Sequence, residues 1–289
     1  MVGEGFINFL IVFRYNLMRY KIGFMQGRLV KPVKKNIIQY FPDKDWFMEL
    51  QIGQHMFDLM EWTINIENLK KNPLIKKKLD KDFIKKIKSA SINIESVTCD
   101  FFMQVPIFKK KYYNKYNEIK KYLLLLISNC EKLHIKFIIL PLVDNSSVKN
   151  LNEENKLYDF LFMISKKLKK TQIIFETDYS PKEVIRFIKR FDMKKFGINY
   201  DTGNSAALNY KIKDEINYFR YVKNIHIKDR KFQGTTVRLG QGNCNFKNFF
   251  YYLKKSKYKG NLILQTARAK KNSDIYEICL NKKYIESFL

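Results

Sequence analysis

The chain alternates between short apolar segments rich in β-branched residues and longer segments whose apolar residues recur at helical spacing. Eight of the apolar segments are predicted strands: Ile22–Gln26, Met56–Trp62, Asn93–Thr98, Lys136–Leu142, Gln172–Thr177, Phe196–Tyr200, Val222–Ile227 and Asn261–Thr266. Most of them are continuous apolar runs rather than strict alternations, which is typical of strands buried on both faces. The pattern therefore predicts parallel strands covered by helices.

The segments between these strands carry helix signals. Ser180 is followed by a proline at the first helical position and by Glu183, which is the arrangement of a capping box. Residues 83–87 place apolar side chains on one face and lysines on the other, and residues 157–168 repeat an apolar face before the fifth strand. Helices therefore connect the strands.

Eight strand–helix pairs predict a (β/α)₈ TIM barrel, an α/β fold, as a single domain over residues 21–289. Residues 1–20 are predicted to be an N-terminal extension peripheral to it, because the first strand begins at Ile22. The alternative is an open doubly wound sheet. No GxGxxG or GxxxxGK[ST] motif follows any strand, so the phosphate-binding loops of such sheets are missing.

The composition of the chain argues against a membrane and against a specific nucleic acid as its partner. No apolar run among the 289 residues approaches the ~18–20 residues of a membrane span, so we expect no membrane insertion. The net charge of +27 comes from 46 Lys but only 9 Arg, and the lysines are scattered along the chain. Because specific base and phosphate recognition usually relies on Arg, we expect only weak, salt-sensitive binding to nucleic acid and no specific nucleic-acid partner.

The four cysteines form neither a CxxC pair nor a dense framework. Cys99, Cys130, Cys244 and Cys279 are therefore expected to be reduced thiols, which favours a cytoplasmic location. The apolar stretch in residues 1–20 is preceded by no basic residue and followed by no small-residue cleavage site, so a signal peptide is not expected.

Ionisable residues stand at the ends of consecutive predicted strands. Functional side chains of a TIM barrel project from the carboxyl ends of its strands, and Glu176, Asp201 and His226 all lie within the last residues of theirs. A buried carboxylate is costly unless it is paired or binds a cation. These three residues therefore predict a site for Mn²⁺, Co²⁺, Zn²⁺ or Mg²⁺. His55 and His134 fall on helix ends or turns and are expected to be structural.

Six sequence motifs in order resemble the sugar (phosphate) isomerase/epimerase family of xylose isomerase-like TIM barrels. They are KIGFMQGRL at the first strand, MEW at the second, FETD at the fifth, NYDTGNSAAL at the sixth, NIHIKDR with VRLGQGNCNF around the seventh, and NLILQTAR at the eighth. The match runs from about Lys21 to the last helix. The resemblance implies a divalent-metal-dependent isomerase or epimerase of carbohydrate metabolism, with a sugar, polyol or sugar phosphate as substrate.

The resemblance also implies roles for particular residues. Its metal ligands would be Glu176, Asp201, His226 and the residue at position 265, and two glutamates would exchange a proton with either face of an enediolate. Apart from the resemblance, seven residues near the ends of the predicted strands are candidates to bind substrate: Gln26, Arg28, Asn204, Lys228, Asp229, Arg230 and Arg268. Of these, Lys228, Arg230 and Arg268 could supply positive charge for a phosphate.

The chain departs from the family pattern at two positions. Gln265 replaces the second glutamate, and Asn204 stands where related sequences carry a histidine. A glutamine oxygen can bind a metal ion but cannot transfer a proton. Either Glu176 acts as the single base, with Glu61 or a water in the other role, or the reaction is different.

Two alternatives to an isomerase remain at this stage. One is a barrel that binds a metal or a sugar with altered or lost catalysis. The other is an enzyme like the AP endonucleases of DNA repair, which share this barrel but need more histidines than the three present. The loops at residues 27–44 and 230–244 carry no diagnostic pattern, and whether copies form a homo-oligomer is left open.

Overall fold

Eight parallel strands close into a barrel in the computed structural model, which describes residues 20–32, 37–270 and 273–289. The barrel strands are β1 Ile22–Met25, β2 Leu59–Thr63, β3 Ser96–Thr98, β4 Phe137–Leu142, β5 Gln172–Thr177, β6 Phe196–Asp201, β7 Val222–Ile227 and β10 Asn261–Leu264. Their order around the barrel is β1-β10-β7-β6-β5-β4-β3-β2, so each pairs with the next barrel strand along the chain and β1 pairs with β10. Two short strands, β8 Asp229–Arg230 and β9 Thr236–Val237, form a separate antiparallel pair. The predicted TIM barrel is confirmed.

Helices cover the outside of the barrel. They are α1 Trp46–Gly53, α2 Lys81–Ser89, α3 Asp100–Gln104, α4 Tyr116–Leu133, α5 Leu151–Ser165, α6 Pro181–Ile188, α7 Thr202–Ala207, α8 Ile212–Glu215, α9 Phe246–Lys255 and α10 Asp274–Glu286. The capping box predicted at Ser180 and Glu183 is present at the start of α6. Short 3₁₀ turns join several of these elements.

The core lies between the strands and the helices, and much of it is aromatic. Phe175 on β5 packs against Phe187 of α6 at a ring-centroid distance of 5.2 Å, and also against Phe191 and Phe196. Every residue of β2 and β6 is buried, as expected for strands with one face in the barrel and the other under helices. This packing holds the carboxyl ends of the strands in one rigid ring.

Two local features differ from the pattern in the sequence. β2 begins at Leu59 rather than Met56, because residues 54–57 continue the turn after α1. An antiparallel pair, β8 Asp229–Arg230 with β9 Thr236–Val237, follows β7 and was not predicted. Asp229 accepts hydrogen bonds from the backbone N–H groups of Gly240, Gly242 and Cys244, and these bonds shape the loop after β9.

Several expectations concern the ends and surface of the chain. Residues 1–19 of the predicted extension lie outside the described residues, and Tyr20 is buried and stacks on Tyr258. All four cysteines are free thiols. In the part of the chain that the structure describes, no helix is both long and apolar enough to cross a membrane.

Glu154 clamps two helices together, and we expect its loss to destabilise the fold. Its carboxylate, on α5, accepts hydrogen bonds from Arg186 and Arg190 at 2.6–2.8 Å and from the Tyr179 hydroxyl. Burial opposes ionisation of Glu154, but these donors outweigh it and lower its pKa to about 2. Glu154→Gln should reduce the free energy of unfolding at pH 7 by about 2 kcal/mol, measured by urea titration.

The pH dependence gives a second test of this clamp. A depressed pKa contributes stability that is present above the ordinary carboxyl pKa of 4.5 and is lost as pH falls toward 2. The difference between wild type and Glu154→Gln should therefore shrink on acidification. The control is Asp159→Asn, an exposed residue on the same helix. An equal effect of both substitutions would contradict the clamp.

Candidate active site

A cavity of about 680 Å³ opens at the carboxyl ends of the barrel strands. Its polar lining includes Gln39, Asn65, Glu67, Asp100, Asp144, Glu176, Asn204, Lys228, Arg230 and Gln265. These side chains come from the ends of different strands and from the segments that follow them, because parallel strands in a closed barrel all end at the same rim. The cavity is therefore where residues far apart in sequence meet.

Three buried donor groups meet beside this cavity. Glu176 at the end of β5, Asp201 at the end of β6 and His226 on β7 each place one potential metal-ligand atom within 4.8 Å of those of the other two. The His226 Nδ1 atom lies 3.1 Å from a Glu176 oxygen and 3.9 Å from an Asp201 oxygen. The strand ends that the sequence singled out are thus brought together.

Glu61 holds the other side of the His226 ring. The His226 Nε2 atom lies 2.8 Å from a Glu61 oxygen. The same carboxylate accepts hydrogen bonds from Thr98, from Ser96 at 2.6 Å and from Asn224 at 3.0 Å. Because the Glu61 carboxylate can only accept a hydrogen bond, the contact favours the His226 tautomer with its proton on Nε2. The Nδ1 atom of that tautomer faces Glu176 and Asp201.

The charge of the group is balanced by internal partners. Burial lowers the pKa of His226, but the carboxylates of Glu61 and Glu176 outweigh this and raise it to about 10. Burial disfavours the charged form of Glu176 as well and so raises its pKa. The contacts with His226, Lys228 and the Asn204 amide outweigh burial and lower the pKa of Glu176 to about 2. Without another cation, a protonated His226 neutralises the neighbouring carboxylate.

Asp201 has two roles that use different oxygens. Its Oδ1 atom accepts a hydrogen bond from the backbone N–H of Asn204 and caps α7. Its Oδ2 atom lies 2.7 Å from the Lys228 ammonium. Burial raises the pKa of Asp201, and the positive charge of Lys228 opposes that shift.

Asn204 connects Glu176 to Arg230. Arg230 donates to the Asn204 side-chain oxygen at 2.9 Å, and the Asn204 amide donates to Glu176 Oε1 at 2.6 Å. Since a guanidinium can only donate, its contact sets the orientation of the Asn204 amide. Asn204 therefore orients the Glu176 carboxylate, although it cannot titrate as a histidine would.

Gln265 continues β10 beside β7, and its backbone N–H donates to Ile227. Its side-chain amide donates to the Gln39 oxygen at 2.6 Å, and Gln39 in turn donates to Asp100. The Gln265 oxygen is buried and has no hydrogen-bond partner. Burial raises the pKa of Asp100 to about 7, and the nearby Glu176 and Glu61 add to this.

The donor set suits a divalent cation. His226 Nδ1, Asp201 Oδ2 and the Gln265 oxygen are buried and lack any hydrogen bond of good geometry. Asp201 Oδ2 is nevertheless paired with the Lys228 ammonium, whereas the unsatisfied His226 Nδ1 and Gln265 oxygen are costly to bury. One imidazole and two carboxylates are ligands that Mn²⁺, Co²⁺ and Zn²⁺ accept, and Mg²⁺ accepts the oxygens.

Seven of the predicted site residues do not line the cavity, and two of these, Asp201 and His226, belong to the buried group beside it. Arg268 donates to the backbone oxygens of Gly27 and Ile37 and pairs with Asp274, so it ties two loops together. Gln26, Arg28, Glu61 and Asp229 are buried and do not line the cavity. We therefore propose neither substrate contact for these five residues nor acid–base catalysis by Glu61.

Other positions show what the sequence could and could not reveal. Asp100 lies two residues after β3, so only its position near the end of a strand pointed to it, whereas Glu176 lies within its strand. Gln39 lies in a loop without strand or helix signals, and nothing in the sequence pointed to it. His55 and His134 follow α1 and α4, at the end of the barrel where strands begin, as expected for structural residues.

The chain belongs to the family of xylose isomerase-like TIM barrels, whose family model matches residues 55–279. No curated protein matches the chain significantly in sequence. Similar solved structures include an L-ribulose 3-epimerase, with 13% identity over 94% of this chain and 95% of that one, at a TM-score of 0.70.

Two further structures have the same barrel. The IolI protein, solved with a zinc atom, is 15% identical over 93% of this chain and 99% of its own, with a TM-score of 0.69. A 3-keto-D-glucoside 4-epimerase from E. coli is 14% identical over 93% and 100%, with a TM-score of 0.65. At this identity the likeness establishes the fold, and the chemistry must be argued from the residues of this chain.

Proposed function

We propose that this chain is a divalent-metal-dependent isomerase or epimerase that moves a proton on a carbon next to the carbonyl of a small carbohydrate. The observation that carries the proposal is the convergence of Glu176, Asp201 and His226 beside a cavity at the carboxyl ends of the strands. The epimerases among the similar structures support the class of reaction.

Glu176, Asp201, His226 and Gln265 would hold the ion. A bound divalent cation supplies a Lewis acid that polarises substrate oxygens and makes a neighbouring C–H bond more acidic. Glu176 is the group that we assign to proton transfer, because its carboxylate lies on the cavity wall and is oriented by Asn204.

The side chains favour isomerisation over epimerisation. An aldose–ketose interconversion can return the proton on the face from which it was removed, so a single base is sufficient. Epimerisation must deliver the proton to the opposite face and therefore needs a second group. Gln265 cannot transfer a proton, and Glu61 does not line the cavity.

The cavity also favours an uncharged carbohydrate over a sugar phosphate. The two cationic side chains among the described lining residues are already engaged, Lys228 with Asp201 and Arg230 with Asn204 and Gly234. Four carboxylates share the wall: Glu67, Asp100, Asp144 and Glu176. A phosphate dianion placed among them would meet repulsion without a free cation among these lining residues.

Proton exchange tests the proposal directly. We expect incubation with Mn²⁺ in D₂O to place deuterium on a carbon next to the carbonyl of at least one member of a panel of ketoses, aldoses and their phosphates. NMR would identify the label, and chromatography would separate aldose from epimeric ketose products. Glu176→Gln should remove the label because it removes the base, whereas Asp159→Asn on the outer surface should not. An absence of label with every sugar would contradict the proposal.

A second candidate is a barrel that binds a sugar without turnover, and Gln265 is the observation that favours it. Metal-dependent sugar binding, seen by calorimetry without label or product, would support this candidate. We do not propose the DNA-repair nuclease, because the metal-ligand group found among the described residues contains a single histidine.

A further inference from the structure

Three side chains form a hydrogen-bonded row along the cavity. Asp100, after β3, accepts from the amide nitrogen of Gln39 with both carboxylate oxygens, at 3.1 and 3.0 Å. The Gln39 oxygen accepts from the amide nitrogen of Gln265 at 2.6 Å. All three residues line the same cavity as Glu176. The row therefore joins one wall of the cavity to the position where the family pattern has a glutamate.

The chemistry of these groups gives the row a direction. Both Asp100 oxygens accept from the Gln39 nitrogen, so Gln39 keeps its nitrogen turned toward Asp100. Its oxygen then faces Gln265, which must present its own nitrogen. The remaining atom of that amide, the Gln265 oxygen, is buried without a hydrogen-bond partner. The orientation of the last amide is thus determined two side chains away.

We propose that Asp100 and Gln39 are positioning residues that hold Gln265 with its oxygen free to bind a cation shared with Glu176, Asp201 and His226. This inference rests on the metal-dependent function proposed above. It goes beyond that function because it assigns two residues to the site and explains why a neutral side chain is retained at position 265. The row makes this site suited to an amide ligand rather than to a carboxylate.

The direction of the row penalises a carboxylate at position 265. Gln265→Glu would bring two acceptor oxygens together, since Gln39 presents its own oxygen at 2.6 Å from this side chain. Turning the Gln39 amide around would relieve that contact but would place its oxygen against Asp100. Asp100→Asn would remove the conflict, because the new amide can donate to a reversed Gln39.

A double-mutant cycle tests whether Gln39 acts through Gln265. We would measure Mn²⁺ affinity by calorimetry for wild type, Gln39→Leu, Gln265→Ala and the double variant. Each single substitution should weaken binding about tenfold. The double variant should be no weaker than Gln265→Ala alone, because the oxygen that Gln39 orients is then absent. Thermal unfolding would verify that each variant is folded.

A rescue experiment tests the direction of the row, because Asp100→Asn should raise Mn²⁺ affinity in the Gln265→Glu background but not in wild type. Above pH 7, where Asp100 is ionised, Gln265→Glu alone should bind Mn²⁺ less tightly than the pair Gln265→Glu with Asp100→Asn, and the gain from adding Asp100→Asn should be about tenfold. In the wild-type background, Asp100→Asn should instead leave affinity unchanged or weaken it. A purely structural role for Asp100 would make the two effects equal.

The outcomes separate this inference from the proposed function. Tight Mn²⁺ binding by wild type, with independent effects of Gln39→Leu and Gln265→Ala, would overturn the positioning role while leaving the metal site intact. Unchanged affinity in Gln265→Ala would do the same. A wild-type protein that binds no Mn²⁺ would overturn the metal-dependent function and this inference together.

Discussion

Asp201→Asn is expected to weaken Mn²⁺ binding by more than about a hundredfold, because changes outside the ligand set alone typically cost 10- to 100-fold. The substitution removes one of only two carboxylates in the donor set. It also leaves the Lys228 ammonium, now 2.7 Å from Asp201 Oδ2, without its negative partner. The unpaired ammonium would repel the incoming cation in a buried setting where charges interact strongly.

Calorimetry with a matched control measures this effect. Asp144→Asn removes one negative charge from the wall of the same cavity but lies outside the donor set. Asn also tolerates the positive φ of 51° at that position, so the backbone should be unaffected. We expect this control to change affinity only slightly. Equal Mn²⁺ affinity in wild type and Asp201→Asn would mean that the three residues are not a metal site.

The second large effect is expected at a residue that does not line the cavity. Glu61→Gln should weaken metal binding by about 10- to 100-fold, which is typical for a partner that orients a ligand histidine. The Glu61 carboxylate accepts from four side chains, including His226 Nε2. An amide offers one acceptor oxygen instead of two and adds a donor. His226 would then lose the contact that favours a proton on Nε2.

The tautomer of His226 gives a readout that a general loss of stability would not produce. The chain has only three histidines, so ¹⁵N chemical shifts of the Zn²⁺-loaded protein can be assigned by single substitutions. We expect a proton on His226 Nε2 in wild type and a change in this signal in Glu61→Gln. Glu67→Gln, an exposed carboxylate on the cavity wall, is the control. Unaltered affinity and shifts in Glu61→Gln would refute the orienting role.

Asp229 and Arg268, two of the predicted substrate-binding residues, do not line the cavity, and the reason can be identified. Asp229 and Arg268 follow strands, as functional residues do, but each binds backbone groups of neighbouring loops. Strand position alone does not distinguish a side chain that meets substrate from one that organises a loop. The sequence carries no signal for that difference, because the loop conformations depend on contacts among distant segments.

The sequence by itself determined the barrel and the donor residues. Continuous apolar runs such as those at β4 and β5 require cover on both faces, and eight of them separated by helices leave little choice of fold. Glu176, Asp201 and His226 could be singled out because they interrupt apolar strands near their ends, where burial of a charge demands a partner. These are local properties that each segment carries with it.

The tertiary structure decided which polar groups meet and in which orientation. Glu61 contacts His226 across 165 residues of sequence, and Gln39 contacts Gln265 across 226. Barrel closure brings β1 beside β10, so the loop after the first strand can reach the end of the last. An amide has no preferred direction until its neighbours supply a donor or an acceptor. The role of Gln265 therefore depends on Gln39 and Asp100, which only the folded chain places beside it.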